Sequence, residues 1–457
     1  MHFVNLTRRI EIGSNSYWLR VGGKNIIFDA GLHPKLSGLA ATPDFSLVPE
    51  GTVDAIFVTH AHQDHVGSLP ILTQREPHAK VFMTEATARI ADVMLHNSVN
   101  VMTRQSENEA TKHYSLFNHR SVDLCARAWS RYPVGRRYNL DGERSDDDRE
   151  VTFEFFDAGH ILGSVGILIR HAGKTLFYTG DVNFENQTIM RGATFPEEGV
   201  DVLIMETTRG DSATPAGFSR ANEEERLTRG IQRAFEQGGS VTIPVFALGK
   251  TQELLAMLWK MRLGGLLAHV PIYIGGLSTK ITGVYDALAA TTVRSHPELQ
   301  LLQEMAPYVL SGNEVHTIAV RKKCIFALSS GMMTEKTLSN IFCRRILSDE
   351  KQSLFFVGYS DPDSPSGRIR RAPPDTEIAL DPDTPAQPIR CHIEEFSFSA
   401  HSNREMLRNY ALLLKPKKII LVHGDITAMD WFQNALFKEL PGTEVIVPEP
   451  GKKTVLF

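Results

Sequence analysis

The sequence has few cysteines and no long apolar run, and each absence excludes a class of protein. Its four cysteines are scattered over 457 residues without a Cys-x-x-Cys pair, so neither a disulfide framework nor a thiolate zinc site is predicted. We interpret them as buried free thiols in a reducing, and therefore cytoplasmic, compartment. No apolar run reaches the roughly 20 residues of a membrane span, and no secretory signal is recognisable at the N-terminus.

The chain also lacks an excess of positive charge. Its net charge of −4 and pI near 6.5 count against a protein that coats nucleic acid non-specifically, because such proteins carry a large basic excess. An enzyme that binds a few phosphates locally remains compatible with this balance. The length predicts two domains, and 17 histidines prompt a search for metal ligands.

Short apolar segments that end near polar residues dominate the first 210 residues. We predict strands at 25–28, 55–59, 151–156 and 175–179, since their length and β-branched or aromatic content fit buried strands. Further strands are predicted at 202–205, 241–246, 272–274, 324–328 and 354–357, alternating with helical stretches such as the amphipathic Lys250–Leu263. This alternation predicts a mostly parallel sheet covered by helices. A loop is predicted over Arg371–Pro388, followed by strand 392–396, helix 403–414, strand 418–422 and helix 428–440.

The segment Thr59-His60-Ala61-His62-Gln63-Asp64-His65 places three histidines and an aspartate within six residues. In an extended stretch, residues 60, 62 and 64 point to one side, and a turn could bring His65 beside them. The spacing therefore predicts that His60 and His62 bind one cation, and that Asp64 and His65 bind a second. Imidazole and carboxylate are a normal ligand set for Zn²⁺.

Two later residues at strand ends supply further candidate ligands. His160 follows a glycine that permits a sharp turn, and Asp181 follows the next predicted strand, where one carboxylate could bridge two cations. Each signal is weak alone. Because both residues follow predicted strands and come after the first motif, we treat His160 and Asp181 as candidate metal ligands.

The His-x-His-x-Asp-His segment, the later His160 and Asp181, and the preceding Asp29 in Phe-Asp-Ala-Gly together resemble the metallo-β-lactamase superfamily. The resemblance implies an α/β fold, an αββα sandwich with a two-metal site along one edge. It also implies that Asp29 is a buried residue supporting the catalytic site rather than a ligand.

Motifs in the second half resemble the β-CASP family of nucleic-acid-processing members. They are Met205-Glu206-Thr207-Thr208, 244–254, Ser330-Gly331-Met332-Met333, 396–401 and 421–425. The resemblance runs from about residue 28 to 425. It implies a metallo-β-lactamase domain at 1–208, completed by 393–457, with a β-CASP α/β domain inserted at 209–392.

The resemblance also implies roles for particular residues. His423 would be a further ligand of the second metal, and Glu206 and His401 would form a polar pair beside the site. Because a carboxylate partner keeps an imidazole protonated, we expect His401 to be the general acid, and Asp64 to be the base that orients the attacking water. Because a histidine at the position of His423 accompanies RNA-processing members, it favours a zinc-dependent ribonuclease with two Zn²⁺ ions. Three substrate contacts are expected in the second domain, at Ser330, Gly331 and Arg368.

Several alternatives stay open at this stage. A DNA nuclease of the same fold is the closest one, followed by a small-molecule ester or thioester hydrolase and a non-catalytic RNA-binding subunit. We expect an RNA substrate that is cut at internal bonds, no membrane association, and either a homodimer or association with a related subunit. Clusters of basic residues at 321–323 and 344–345 are interpreted as solvated charge, and Phe396 and Phe398 as core residues.

Overall fold

The computed structural model describes residues 1–106 and 115–457. Packing divides the chain into two compact units. Unit 1 comprises Met1–Asn186, Arg191–Thr214 and Ala400–Phe457, and unit 2 comprises Gln187–Met190 and Pro215–Ser399. Within the described ranges, none of the helices combines the length and the apolar character that crossing a bilayer requires.

Strands and helices alternate along most of the chain. The strands are β1 (His2–Asn5), β2 (Tyr17–Val21), β3 (Lys24–Phe28), β4 (Ala55–Phe57), β5 (Lys80–Met83), β6 (Trp129–Arg131), β7 (Arg137–Asn139), β8 (Thr152–Asp157), β9 (Val165–His171), β10 (Lys174–Tyr178), β11 (Val202–Glu206), β12 (Val241–Pro244), β13 (Ile272–Gly275), β14 (Tyr308–Leu310), β15 (Ile325–Leu328), β16 (Ser353–Phe356), β17 (Glu377–Ile378), β18 (Gln387–Pro388), β19 (His392–Glu395), β20 (Lys418–Val422), β21 (Glu444–Ile446) and β22 (Lys453–Val455). The α-helices are α1 (Gln63–Val66), α2 (Leu69–Arg75), α3 (Glu85–Ser106), α4 (His119–Ala126), α5 (Arg220–Glu236), α6 (Lys250–Leu263), α7 (Gly276–Ala287), α8 (Leu301–Met305), α9 (Glu314–Thr317), α10 (Leu338–Ile346), α11 (Pro365–Arg371), α12 (Arg404–Leu414) and α13 (Ile426–Glu439).

Unit 1 is a sandwich of two seven-stranded sheets. Their strand orders are β22-β1-β2-β3-β4-β5-β6 and β21-β20-β11-β10-β9-β8-β7. Buried aromatic and branched side chains from both sheets, such as Phe57 and Phe153 at 4.9 Å between ring centroids, form one core between them. Helices α12 and α13 cover the outer face of the second sheet with Leu407, Phe432 and Leu436. The predicted αββα fold class is confirmed.

Unit 2 is built on a parallel sheet of order β14-β13-β15-β12-β16-β19. Every pairing in it is parallel, as the alternation of strands and helices predicts. Helix α6 has the predicted bounds, but it is not amphipathic in the expected sense, because residues 251–258 are all buried. Helices α7 and α8 pack against α6 and cover the side that a surface helix would expose.

Other predictions about the second half meet mixed outcomes. The predicted loop 371–388 begins at the last residue of α11 and contains a short antiparallel pair, β17 with β18. The strand predicted to reach residue 246 ends at Pro244. Phe396 and Phe398 are core residues, 4% and 1% exposed, as predicted. The four cysteines are buried and free, as predicted, and the compartment stays a prediction.

Candidate metal centre

Polar residues that follow neighbouring strands meet at one end of unit 1. Strands β3 and β4 run parallel in the first sheet, and β10, β11 and β20 run parallel in the second. Because the carboxyl ends of parallel strands lie at one edge, loops that follow them gather there. The side chains that meet at this edge are His60, His62, Asp64, His65, His160, Asp181, Glu206, His401 and His423.

Three imidazoles and one carboxylate form the first group: His60, His62, His160 and Asp181. The Nδ1 atom of His62 lies 3.1 Å from Nε2 of both His60 and His160. The Oδ2 atom of Asp181 lies 3.5 Å from Nε2 of His60 and 3.7 Å from Nε2 of His160. Ligands held about 2.0–2.1 Å from a tetrahedral zinc ion are about 3.3 Å apart, so this spacing fits one cation.

The second group consists of Asp64, His65 and His423, and the carboxylate of Asp181 reaches it as well. Asp64 Oδ2 lies 3.3 Å from Nε2 of His423 and 3.8 Å from Nε2 of His65. The other carboxylate oxygen of Asp181, Oδ1, lies 3.2 Å from Nδ1 of His423 and 3.4 Å from Nε2 of His65. Asp181 therefore directs one oxygen toward each group.

The donor set fits a divalent cation on two grounds. Asp181 Oδ1 is buried and, among the described residues, makes no well-aligned hydrogen bond, although ring nitrogens of His423 and His65 lie 3.2 and 3.4 Å away. A cation between these atoms would satisfy the carboxylate oxygen. Burial lowers the pKa of His60 and His160 well below the usual value and that of His62 to about 4. These three imidazoles are therefore neutral at pH 7, which is the form that binds a metal.

Asp29 lies beneath the second group and orients it. This fully buried carboxylate accepts hydrogen bonds from the Thr59 amide at 2.7 Å and from the Tyr178 hydroxyl at 2.9 Å. Its Oδ2 atom also lies 2.9 Å from His65 Nδ1, which directs the other ring nitrogen toward the site. Burial lowers the pKa of His65, but the carboxylates of Asp181 and Asp29 raise it well above the usual value. Metal binding at His65 therefore displaces a proton.

The backbone of the histidine-rich motif differs from the extended stretch that its spacing predicts. The chain turns into α1 directly after His62, so Asp64 and His65 lie on a helical turn. This turn packs closely on the loop after β3, because a Cβ at Gly31 would lie 1.8 Å from the carbonyl oxygen of Asp64. The two-residue period therefore failed beyond His62. The structure nevertheless places His60 with His62, and Asp64 with His65, in separate clusters, and the binding of a cation by each stays a prediction.

Three other residues at the site have unusual backbone conformations. Gly159, immediately before His160, has a φ of 65°, and a Cβ there would lie 2.5 Å from the carbonyl oxygen of Asn183. His423 and Asp29 have φ values of 50° and 58°, in the left-handed region that residues other than glycine seldom occupy. Such conformations concentrate at functional sites.

Glu206 and His401 form a pair beside the first group. His401 Nδ1 lies 3.2 and 3.3 Å from the two carboxylate oxygens of Glu206. The ring centroid of His401 lies 4.5 Å from that of His160. Burial lowers the pKa of His401, but the Glu206 carboxylate raises it above the usual value. Because Glu206, His401 and Asp181 also lie within 4.8 Å of one another, the pair adjoins the metal ligands directly.

Two residues of the site were not found from the sequence. The buried Asn15 places Nδ2 3.1 Å from the carbonyl oxygen of Asp64 and 3.2 Å from Nε2 of His65. Its segment shows no periodicity or ligand spacing that could have indicated it. Thr208 lies 2.8 Å through Oγ1 from His423 Nδ1. Thr208 could have been found from its position two residues after Glu206, in a motif that the sequence analysis had recognised.

Replacing Thr208 by valine is expected to weaken metal binding about 10- to 100-fold, because the hydroxyl holds the His423 ring in place. Metal affinity is measured by titration of the metal-free protein. The matched control is Thr228→Val in α5, which removes a buried hydroxyl that donates to the Glu224 carbonyl oxygen. Thr228→Val should lower the stability of the protein and leave its metal affinity unchanged. Equal metal affinity in both variants would show that Thr208 does not orient His423.

The three expected substrate contacts lie in unit 2. Ser330 follows β15, and its Oγ atom accepts a hydrogen bond from the Thr334 amide at 3.1 Å. Gly331 lines a cavity of about 10 Å³ together with Phe246 and other residues, which is room for about one water molecule. Arg368 lies in α11 and not in the preceding loop, and its guanidinium donates to the Ala379 carbonyl oxygen at 3.2 Å. Their contact with substrate stays a prediction.

Three family models match successive parts of the chain. Residues 9–229 match the metallo-beta-lactamase superfamily, residues 251–369 the Beta-Casp domain, and residues 386–448 the Zn-dependent metallo-hydrolase RNA specificity domain. Together they include both candidate ligand groups and the Glu206–His401 pair.

Curated relatives match almost the whole chain. The cleavage and polyadenylation specificity factor subunit 3 of Dictyostelium discoideum is 28% identical over 98% of this chain and 56% of its own length. Subunit 3-I of Arabidopsis thaliana is 29% identical over 96% and 61%, and the endoribonuclease YSH1 of Yarrowia lipolytica is 29% identical over 99% and 53%. The chain thus spans little more than half the length of these relatives.

A solved structure is similar in fold. The crystal structure of a protein of unknown function from Enterococcus faecalis V583 superposes over 99% of both chains, with a TM-score of 0.57 and 13% sequence identity. At this identity the likeness concerns the fold alone.

Proposed function

Because the chain belongs to the metallo-beta-lactamase superfamily and carries the Beta-Casp and RNA specificity domains, we propose that it is a zinc-dependent ribonuclease. It hydrolyses phosphodiester bonds within RNA. The single observation that carries this proposal is the pair of ligand groups that share Asp181, with the Glu206–His401 pair directly beside them.

The proposed cofactor is a pair of zinc ions. His60, His62, His160 and Asp181 would hold the first, and Asp64, His65, His423 and Asp181 the second. When bound, two such cations lower the pKa of a water molecule and neutralise charge that develops on the phosphate oxygens. Histidine and aspartate are ligands that zinc accepts in a catalytic site, and the buried Oδ1 atom of Asp181, which makes no well-aligned hydrogen bond among the described residues, supports this assignment.

The protein's own residues position and move protons. Asp64 stays ionised, because its neighbours His65 and His423 outweigh burial and lower its pKa to about 2. It accepts a hydrogen bond from the attacking water and orients it toward phosphorus. His401, held through Nδ1 by Glu206, donates a proton from Nε2 to the leaving oxygen. Asp29 supports this centre through His65.

RNA is favoured over other substrates by the relatives. Those matched over nearly the full chain are an endoribonuclease and two cleavage and polyadenylation factors. The RNA specificity model covers residues 386–448, which include both His401 and His423. A DNA nuclease is the alternative that shares every feature of the metal centre.

A comparison of labelled substrates tests this proposal. We expect the zinc-loaded protein to cleave single-stranded RNA much faster than single-stranded DNA or either duplex. With end-labelled RNA, internal products of intermediate length should appear first, as cutting within the chain requires. Equal rates on DNA would favour the alternative, and hydrolysis of simple esters or thioesters without any nuclease activity would refute a nuclease altogether.

Further parts of the proposal concern organisation. We assign 1–208 and 393–457 to the metallo-β-lactamase domain and 209–392 to the β-CASP domain, with Ser330, Gly331 and Arg368 contacting RNA. The protein acts in the cytoplasm, as a homodimer or beside a related subunit. Sedimentation of the full chain, alone and with candidate partners, tests the association.

A further inference from the structure

Arg209 is a half-buried cation without a partner in the described part of unit 1. Its guanidinium makes no hydrogen bond or ion pair with any residue that the structure describes. The neighbouring Arg404 differs, since it pairs with Glu405 at 3.1 Å, donates to the Gly210 carbonyl oxygen at 3.4 Å and stacks on Trp431 at 4.4 Å. Arginines that are half-buried for structural reasons are normally saturated in this way.

The position of Arg209 connects it to the candidate site. It is the third residue after Glu206, which holds His401, and it follows Thr208, which contacts His423. The carboxylate of Glu206 is also close enough to act electrostatically on the guanidinium. Arg209 therefore lies on the same loop as two residues that contact the candidate site, and its guanidinium is within electrostatic range of Glu206.

The backbone that carries Arg209 is held firmly. The Gly210 amide donates to the Thr207 carbonyl oxygen at 2.9 Å, and the Ser212 amide donates to the Arg209 carbonyl oxygen at 3.2 Å. Gly210 lies so close to α13 that a Cβ would be 2.6 Å from the Ala428 carbonyl oxygen. The backbone of the turn is therefore closely packed, which fixes the point from which the Arg209 side chain extends.

The charges around Arg209 explain why a cation is needed there. Burial lowers the pKa of Arg209, while the carboxylates of Glu185, Glu206 and Glu405 act against this, so the guanidinium stays charged. Together with Asp211, these carboxylates would repel an entering phosphate, and the guanidinium offsets that repulsion. A guanidinium binds phosphate through two parallel hydrogen bonds, which fixes orientation as well as affinity.

We propose that Arg209 binds a backbone phosphate of the RNA strand adjacent to the phosphate that is cleaved. This deepens the proposed function and rests on it. Arg209 binds the substrate in the ground state and in the transition state alike, so its removal raises KM more than it lowers kcat.

The test measures binding and turnover separately. Binding of a labelled single-stranded oligouridylate is measured in the His401→Ala background, with and without Arg209→Ala, between about 50 and 200 mM salt. Turnover of the same RNA is measured with Arg209→Ala and Arg209→Lys alone. The matched control is Arg136→Ala, an exposed arginine just before β7, the edge strand that β8, β9 and β10 separate from β11.

We expect Arg209→Ala to weaken binding about 10- to 100-fold and to reduce the slope of log affinity against log salt by about 0.7, the value for one phosphate of a single strand. Arg209→Lys should keep the slope and lose part of the affinity. Arg136→Ala should change neither, and zinc content should be equal in all variants.

An unchanged slope in Arg209→Ala, the same loss in Arg136→Ala, or a loss of zinc would overturn the inference. The proposed function fails if the parent protein does not hydrolyse RNA. In that case the binding comparison still decides whether Arg209 contacts a phosphate. Absence of RNA binding by the parent would overturn both.

Discussion

Replacing Asp181 by asparagine is expected to abolish metal binding at both groups and with it the hydrolytic activity. The two oxygens of this carboxylate face different groups, and the neutral amide supplies neither a second oxygen nor a negative charge. Zinc content, measured by elemental analysis, should fall from about two ions per chain to less than one. Because the cations contribute several kcal/mol to the reaction, turnover should fall more than about 10³-fold.

The control for this change is Asp201→Asn at the opposite end of β11. Asp201 pairs with Lys417 at 2.7 Å and accepts a hydrogen bond from the Thr175 amide at 3.1 Å. Its replacement removes an identical charge and should cost about 1 kcal/mol of stability without altering zinc content. If Asp181→Asn kept both ions, the shared carboxylate would not be a ligand.

Replacing His401 by alanine is expected to leave zinc content intact and to lower kcat about 10²- to 10⁴-fold, the usual contribution of a general acid. The Nδ1 atom of His401 faces the Glu206 carboxylate, and the ring stands beside His160. Although His401 also clusters with Glu206 and Asp181, the proposed zinc ligands do not include it, so we expect its loss to remove a proton donor and to spare the metal. Zinc is measured by elemental analysis and kcat on single-stranded RNA.

Glu206→Gln extends the test to the pair. The amide keeps an oxygen that can accept the hydrogen bond of the Val182 amide, now made to Glu206 at 2.7 Å, but it no longer supports a protonated imidazole. If Glu206 acts through His401, the double variant should be little worse than His401→Ala alone, since residues that act as a unit are not additive. His78→Ala, at an exposed position, is the control. A zinc-depleted His401→Ala protein would contradict the role of proton donor.

The fold was largely predictable because its strands and helices are strongly patterned. Buried strands such as β3, β10 and β20 lie within one residue of their predicted bounds, since short apolar segments between polar turns have few alternatives. Helix α6 had correct bounds but an unpredicted environment. Helix α6 is buried because α7 and α8 pack against it. These helices come later in the chain, so the periodicity of α6 could not indicate them.

The ligands were predictable for a different reason. Four potential ligands, His60, His62, Asp64 and His65, lie within six residues, and this spacing indicated a metal site. The resemblance to the superfamily added His160, Asp181 and His423 as candidates. Local geometry was less predictable, because α1 begins inside the motif where an extended strand had been expected. Asn15 and Thr208 escaped notice, because a single amide or hydroxyl carries no pattern.

The sequence by itself determined the superfamily, the αββα sandwich and the identity of the candidate ligands. These depend on residue type, spacing and periodicity, all of which can be read directly from the sequence. Only the tertiary structure decided that Asp181 faces both groups, that Asp29 and Asn15 contact His65 and Asp64, and that the Arg209 guanidinium makes no hydrogen bond or ion pair within residues 1–106 and 115–457. Those relations join residues far apart in the chain through hydrogen bonds and charges that act over a few ångströms, so they exist only once the strands have been packed together.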